Sequence, residues 1–166
     1  VRMNNNPVDI KSKVIFVTGA FGLIGKQICK AFLQQEAKVV LADVNSSLIP
    51  ALEEELNKTF NTENYLILIT DITSELSVAN AVAATVEKFG SLDVLINNAA
   101  IDAKFDKENI GGVNQSRFEN YPIELLRRSV EVNLTGTVIM TQAACKQMLL
   151  QGSGNIINVA STYSVV

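Results

Sequence analysis

Residues 14–43 read VIFVTGAFGLIGKQICKAFLQQEAKVVLAD, and the pattern of this stretch decides the fold. The short apolar run from Lys13 to Thr18 predicts a buried strand that ends at Gly19. Leu23 to Glu36 has helical spacing, and Lys38 to Ala42 predicts a second buried strand. The apolar residues of the helix are expected on one face: Ile24, Ile28, Ala31 and Phe32. A strand, a glycine-rich turn, a helix and a second strand therefore follow one another.

The same alternation continues along the chain. Three further strands are predicted: Tyr65–Ile69, Asp93–Asn97 and Asn155–Ala160. Three further helices are predicted: Ser46–Phe60, with Pro50 tolerable only near its first turn, Ser74–Phe89, closed by Gly90, and about Pro122 to Leu150. Apolar strands that alternate with helices predict an α/β fold with a doubly wound parallel sheet covered on both faces. Ligands of such sheets bind at the carboxyl ends of the strands.

Composition limits the class of protein. The chain has 166 residues, 48% of them hydrophobic and 19% charged, which suits one globular domain. A net charge of −3 and a pI near 5.0 argue against a nucleic-acid partner. No apolar run is long enough to cross a bilayer, and the polar start lacks a signal-peptide core, so the expected location is the cytoplasm, away from membranes.

Histidine and cysteine usage limits the chemistry further. The chain has no histidine, which excludes Ser-His-Asp hydrolysis and the commonest zinc sites. Cys29 and Cys145 have no paired spacing, so we expect buried reduced thiols and no metal site.

The turn from Thr18 to Gly25 predicts a site for the pyrophosphate of a dinucleotide. Gly19 permits the sharp turn, Gly22 lets backbone N–H groups approach the phosphates, and Gly25 allows close packing of the helix. The helix N-terminus adds about half a positive charge. The loop residues predicted to contact the cofactor are Gly19, Phe21, Gly22, Leu23, Ile24 and Gly25. A plain tight turn is the alternative interpretation.

Asp43 ends the second strand, 18 residues after Gly25. Its carboxylate can accept hydrogen bonds from the adenosine ribose hydroxyls, and it would repel a 2′-phosphate. No arginine lies beside Asp43, and Phe21 offers no cation in the loop, so NAD is favoured over NADP. Alternatively, Asp43 caps the helix that begins near Ser46.

Asp71 ends the third strand. Its carboxylate could contact the adenine edge or cap the third helix, and the two roles can coexist.

Further motifs follow the later strands, and the whole set resembles the short-chain dehydrogenase/reductase family. The matching residues run from about Lys13 to the end of the chain: Thr18-Gly19-x-x-Gly22-x-x-Gly25, Asp71, Asn97-Asn98-Ala99-Ala100, Val132-Asn133 and Asn158-Val159-Ala160-Ser161. The resemblance implies a three-layer αβα Rossmann fold with strand order 3-2-1-4-5, truncated after the fifth strand. It also implies a nicotinamide cofactor, for which Asp43 favours NAD, a small alcohol or ketone substrate, and a homodimer or homotetramer assembled through helix four and the helix after it.

The resemblance assigns a role to each matching position. It adds these cofactor contacts: Asp71, Ile72, Asn98, Ala99 and Ala100. Asn97 would tie the fourth strand into the sheet. The catalytic positions are Ser161, which would bind the substrate oxygen, and Asn133, which would hold a proton-relay water. Taken one at a time, Asn97 also suits a turn amide, Asn133 a surface helix amide and Ser161 a strand-end hydroxyl.

The sequence departs from the family in three places. The second glycine lies at position 22, where the short branch usually has it at 23, and this spacing is closer to the sugar-nucleotide-modifying branch. Ala100 stands where glycine is usual. The catalytic Tyr-x-x-x-Lys is expected about a dozen residues after Ser161, but the sequence ends at Val166, and Tyr163 has no lysine four residues later. We therefore expect the cofactor half of a longer reductase, whose intact mass would exceed 18.0 kDa.

These observations predict one domain over residues 1–166, with a tail at 1–12, a loop insertion at 102–120 and a catalytic portion missing from the end. The leading function is NAD-dependent hydride transfer between the cofactor and an alcohol or ketone. One alternative is an epimerase or dehydratase that uses bound NAD on a nucleotide sugar. Another is an NAD-sensing protein without catalysis. The loop and residues 154–166 are similar to those of bacterial flagellin-modification and surface-sugar dehydrogenases.

Overall fold

The structure is a computed structural model that describes residues 9–101 and 118–160. Within these residues, five parallel strands form one sheet in the order β3-β2-β1-β4-β5. The strands are β1 Val14–Thr18, β2 Lys38–Asp43, β3 Tyr65–Ile69, β4 Val94–Asn97 and β5 Asn155–Asn158. The predicted strand order and parallel pairing are confirmed.

Five α-helices cover the described part of the sheet. They are α1 Leu23–Gln34, α2 Ile49–Asn57, α3 Glu75–Phe89, α4 Ile123–Val130 and α5 Thr137–Gln151. The long helix predicted after the loop is therefore present, but a π-helical segment, Glu131–Gly136, divides it into α4 and α5. The second predicted helix is shorter than expected, because residues 46–48 form a 3₁₀ turn before it and Pro50 lies in its first turn.

The two faces of the sheet bury separate cores. On one face, Ile15 and Val17 pack with residues of α1 and α2, including Cys29 and Leu52. On the other face, Phe16 packs with residues of α3 and α5. Alternate residues of β1 therefore supply opposite cores, as a strand buried on both faces requires. The predicted three layers are confirmed.

The buried face of α1 agrees with the prediction in part. Ile28 and Phe32 are half-buried and pack against the core, as predicted. Gly25, Cys29 and Leu33 form the fully buried stripe, whereas Ile24 is 65% exposed and Ala31 is exposed. The glycine loop sets this rotation, because Gly25 must lie against the loop backbone. Burial raises the pKa of the Cys29 thiol well above its usual range, which fits the predicted reduced cysteine. Cys145 is also free but only half-buried.

The carboxyl ends of the strands share one edge of the sheet, so the segments that follow β1, β2, β3 and β4 are neighbours there. Most of the predicted 102–120 insertion and of the 1–12 tail lies outside the described residues. None of the helices in residues 9–101 and 118–160 is long and apolar enough to cross a membrane.

Candidate cofactor-binding site

The glycine loop is held in one conformation by close backbone contacts. Gly19 has φ +63°, and a Cβ there would lie 2.7 Å from the Cα of Ala99. A Cβ on Gly25 would lie 2.2 Å from the Gly19 carbonyl oxygen. Gly22 differs, because its φ is −70° and a Cβ would make an ordinary 3.4 Å contact. The turn and the packing therefore demand glycine at 19 and 25, but not at 22.

The first turn of α1 opens towards solvent. Gly22 is the N-cap residue, and no side chain in residues 9–101 and 118–160 accepts a hydrogen bond from the N–H groups of this turn. The side chains of Leu23 and Ile24 point away from the core and are 88% and 65% exposed. An uncapped helix start with exposed N–H groups and a positive dipole end suits a phosphate group.

Thr18 and Asn98 hold the glycine loop in place through hydrogen bonds. The Asn98 side-chain amide donates to the carbonyl oxygens of Thr18 at 3.0 Å and Gly19 at 3.1 Å. The Thr18 hydroxyl accepts hydrogen bonds from the backbone N–H groups of Asn98 and Ala99, both at 3.0 Å. The sequence predicts a cofactor contact for Asn98, but in the structure its amide nitrogen is committed to the loop.

Asp43 joins the end of β2 to the glycine loop. Its Oδ2 accepts a hydrogen bond from the Phe21 N–H at 3.1 Å, and its Oδ1 accepts one from the Asn45 N–H at 3.1 Å. The cap of the following 3₁₀ turn is Asn45, whose Oδ1 accepts from the Ser47 N–H. The capping alternative for Asp43 is therefore wrong. Phe21 contributes its backbone to this contact, because its ring is buried in the core.

Asp71 organises the turn after β3. Its Oδ1 accepts hydrogen bonds from the backbone N–H of Thr73 at 2.9 Å and from the Thr73 hydroxyl at 2.7 Å. Ser74 is the residue that caps α3, through the Ser77 N–H. The capping alternative for Asp71 is therefore also wrong, because Asp71 lies one turn too early to reach the N–H groups of α3.

These segments surround a cavity of about 850 Å³ at the carboxyl edge of the sheet. Six of the predicted cofactor residues line it: Gly19, Asp43, Asp71, Ile72, Ala99 and Ala100. The other six do not line the cavity, since five belong to the glycine loop itself and Asn98 hydrogen-bonds to that loop: Phe21, Gly22, Leu23, Ile24, Gly25 and Asn98. The two aspartates therefore share one cavity, although they follow different strands.

The α4 segment supplies a wall of the cavity that sequence reasoning missed. Its lining residues are Pro122, Glu124, Leu125, Arg127, Arg128, Glu131 and Val132. Leu125, Arg128 and Val132 recur at helical spacing, which places them on one side of the helix, but no pattern in the sequence directs that side to the cavity. The π segment is seated on the turn after β3, since a Cβ on Gly136 would lie 2.7 Å from Cγ1 of Ile72.

Asn133 lies within the π segment and holds the chain that follows β4. Its Oδ1 accepts a hydrogen bond from the Ile101 N–H at 2.9 Å, and its Nδ2 donates to the Ile101 carbonyl at 3.0 Å. The Asn133 carbonyl accepts a hydrogen bond from the Thr137 hydroxyl at 3.0 Å. Both ends of the side-chain amide are therefore used to position Ile101, beside Ala99 and Ala100.

Asn97 links β4 to its neighbours. Its Nδ2 donates to Oδ1 of Asn158 on β5 at 2.8 Å and to the Thr141 hydroxyl on α5 at 3.0 Å. The side chain therefore ties the fourth strand into the sheet. Ser161, the predicted substrate-binding residue three positions after Asn158, lies outside the described residues.

Comparison with known proteins gives a consistent family. The sequence profile of the family described as short chain dehydrogenase matches residues 13–166. An uncharacterized oxidoreductase of Thermotoga maritima is 36% identical over 153 residues, 92% of this chain and 55% of the relative. The mitochondrial borneol dehydrogenase of Lavandula x intermedia is 32% identical over 152 residues, 92% of this chain and 52% of the relative.

The predicted similarity to a flagellin-modification protein is also found. The post-translational flagellin modification protein A of Campylobacter coli is 34% identical over 156 residues, 94% of this chain and 58% of the relative. The chain thus spans 52–58% of the length of these three relatives. The crystal structure of gox2181 superposes with a TM-score of 0.78 at 24% identity, covering 94% of this chain and 56% of that one, and supports the Rossmann fold.

Proposed function

The chain belongs to the short-chain dehydrogenase family, and on that premise we propose that the complete protein is an NAD-dependent oxidoreductase. It transfers hydride between the cofactor and a small alcohol or ketone. The observation that carries this proposal is the position of Asp43, whose carboxylate is bonded to the glycine loop and lines the cavity. The borneol dehydrogenase among the relatives supports an alcohol as the substrate class.

The residues at the cavity and in the adjoining glycine loop fit an NAD molecule in three places. The uncapped start of α1 suits the pyrophosphate, Asp43 suits the adenosine ribose, and Asp71 with Ile72 suits the adenine edge. The Asp43 carboxylate disfavours a 2′-phosphate because two negative charges would be close together. NAD is therefore the proposed cofactor, rather than NADP.

The nicotinamide cofactor, when bound, supplies or accepts the hydride. The chain's own residues then position the reactants: Asn133 fixes Ile101 and so the backbone at Ala99 and Ala100. The methyl group of Ala100 is accommodated, since this residue is exposed and its φ lies outside the left-handed region. Ser161 is proposed to hydrogen-bond the substrate oxygen and orient it for proton exchange.

A second candidate function follows from the position of Gly22. Its spacing is closer to the sugar-nucleotide-modifying branch, which favours an epimerase or dehydratase that keeps NAD bound through the reaction. Cofactor that co-purifies with the full-length protein and resists dialysis would support this alternative. Cofactor that exchanges freely would support the dehydrogenase.

Assembly and location complete the proposal. We propose a homodimer or homotetramer assembled through the long helix, whose exposed apolar residues include Leu134 and Val138. The proposed location is the cytoplasm. Size-exclusion chromatography with light scattering tests the first statement, and cell fractionation tests the second.

The activity is tested on the full-length protein with NAD and a panel of secondary alcohols, by following the fluorescence of the reduced cofactor. Ser161→Ala is expected to lower kcat by about 100-fold, because a donor to the reacting oxygen is lost. The matched control, Ser153→Ala, removes an exposed hydroxyl next to the start of β5, at the opposite edge of the sheet, and should leave kcat unchanged. Equal rates for the two variants, or a full-length protein that does not bind NAD, would contradict the proposal.

A further inference from the structure

Residues on one face of α4 and of the following π segment line the cavity. Its lining residues Glu124 and Leu125 lie four and three positions before Arg128, and Glu131 and Val132 lie three and four positions after it. Residues at these intervals share one side of a helix. Arg128 is therefore the centre of the α4 face that forms the cavity wall.

The neighbouring arginine is placed differently. Arg127 lies at the edge of this face, and its Nη1 donates to Oε2 of Glu124 at 2.9 Å. Arg128 is exposed, and within residues 9–101 and 118–160 its guanidinium forms no ion pair or hydrogen bond. The central cation of the face is thus available to a ligand, whereas the cation at the edge is paired.

The other residues that line the cavity indicate which part of the ligand lies near Arg128. Ile72, which lines the cavity, contacts Gly136 of the π segment, so the turn after β3 and the long helix lie against each other. α4 precedes this contact and lines the same cavity as Asp43, the last residue of β2, and Asp71, which follows β3. Under the proposed function, these are the segments that hold the adenosine half of NAD.

We propose that Arg128 packs its guanidinium plane against the adenine ring of bound NAD and completes the adenosine subsite from α4. This inference rests on the proposed function. A guanidinium is planar and weakly hydrated, and it stacks on aromatic faces better than an ammonium group does. The adenine is neutral, so this contact is compatible with Asp43 and Asp71 in the same cavity.

The test measures binding by calorimetry, using the full-length protein and three ligands: NAD, NADP and nicotinamide mononucleotide, which lacks the adenosine half. Arg128→Ala is expected to raise the Kd for NAD by about 3- to 30-fold, the range of a cation–π contact, and to leave the Kd for the mononucleotide unchanged. Arg128→Lys should resemble Arg128→Ala, because the planar group is lost. The control, Lys58→Ala, removes an exposed and paired cation next to α2 that does not line the cavity, and it should bind NAD like the wild type.

Three results would overturn the inference. They are an unchanged Kd for NAD in Arg128→Ala, full recovery of affinity in Arg128→Lys, and a loss of NADP affinity much greater than the loss of NAD affinity. The last would assign Arg128 to a 2′-phosphate. Circular dichroism verifies that the variants fold. A wild-type protein that binds no NAD would contradict the proposed function itself, so the two failures are distinguishable.

Discussion

Residues 14–43 and residues 94–158 both supply parallel strands to one sheet, yet they hold the site in different ways. All five residues of β1 are buried, whereas three of the four residues of β5 are exposed. The first region shapes its loop through backbone contacts that only glycine permits. The second region acts through side-chain amides, at Asn97, Asn98 and Asn133. The conformation of the glycine loop can therefore be predicted from the sequence, whereas the hydrogen-bond partners of the side-chain amides cannot.

The largest expected effect tests whether the first region is as rigid as its contacts imply. A Cβ on Gly25 would lie 2.2 Å from the Gly19 carbonyl oxygen, and a Cβ on Gly154 would lie 2.2 Å from Cγ of Met148. Only the second obstacle is a flexible side chain. Gly25→Ala should therefore lower the free energy of unfolding by about 3 kcal/mol, and Gly154→Ala by about 1 kcal/mol or less.

Urea denaturation of the two glycine variants measures this difference. Gly22→Ala is a further control, since its added methyl group makes an ordinary contact of 3.4 Å. Equal losses of stability in Gly25→Ala and Gly154→Ala would show that the loop backbone yields as easily as a methionine side chain.

The second effect concerns the amides that support the site. Asn98→Ala removes hydrogen bonds to two loop carbonyls, and we expect a loss of about 2 kcal/mol in stability together with weaker NAD binding. Asn133→Ala removes hydrogen bonds at an exposed position, so the expected loss is about 1 kcal/mol. Thermal unfolding with and without NAD measures both variants. A smaller loss of stability in Asn98→Ala than in Asn133→Ala would contradict this ranking.

The smallest effect is electrostatic. Hydrogen bonds from Lys30 and Lys26 lower the pKa of Glu55, so the stability from this carboxylate is present at neutral pH and is lost as the pH falls through the lowered pKa. Because the groups are partly exposed, we expect about 0.5 kcal/mol. Glu55→Gln should remove this pH-dependent part of the unfolding free energy. Glu124→Gln, in a more exposed pair with Arg127, should have no measurable effect, and an equal effect would contradict the ranking.

Much of the fold was predictable from the sequence. The ends of α3 follow from apolar patterning and from Gly90, which has φ +83°, and the strand order follows from the family resemblance. The buried face of α1 was predictable only in part, at Ile28 and Phe32, because a contact between Gly25 and the loop sets the exact helix rotation. Hydrophobic spacing alone favoured Ile24, which is exposed.

Less of the candidate site was predictable. The glycine loop and Asp43 could be found, because local backbone geometry and strand ends determine them. The commitment of Asn98 to the loop, 79 residues away from Gly19, depends on strand pairing that no local pattern encodes. The position of Arg128 at the cavity depends on how α4 packs against the rest of the fold. This packing involves the contact between Gly136 and Ile72, two residues that are distant in the sequence.

The central claim is that the loop and Asp43 together select NAD, and one titration tests it most directly. The full-length wild-type protein and its Asp43→Ala and Asp43→Asn variants are titrated with NAD and with NADP by calorimetry. We expect the wild type to bind NAD more tightly, and both variants to lose more affinity for NAD than for NADP, because the ribose contact and the repulsion disappear together. A wild type that prefers NADP, or variants with an unchanged preference, would contradict the account.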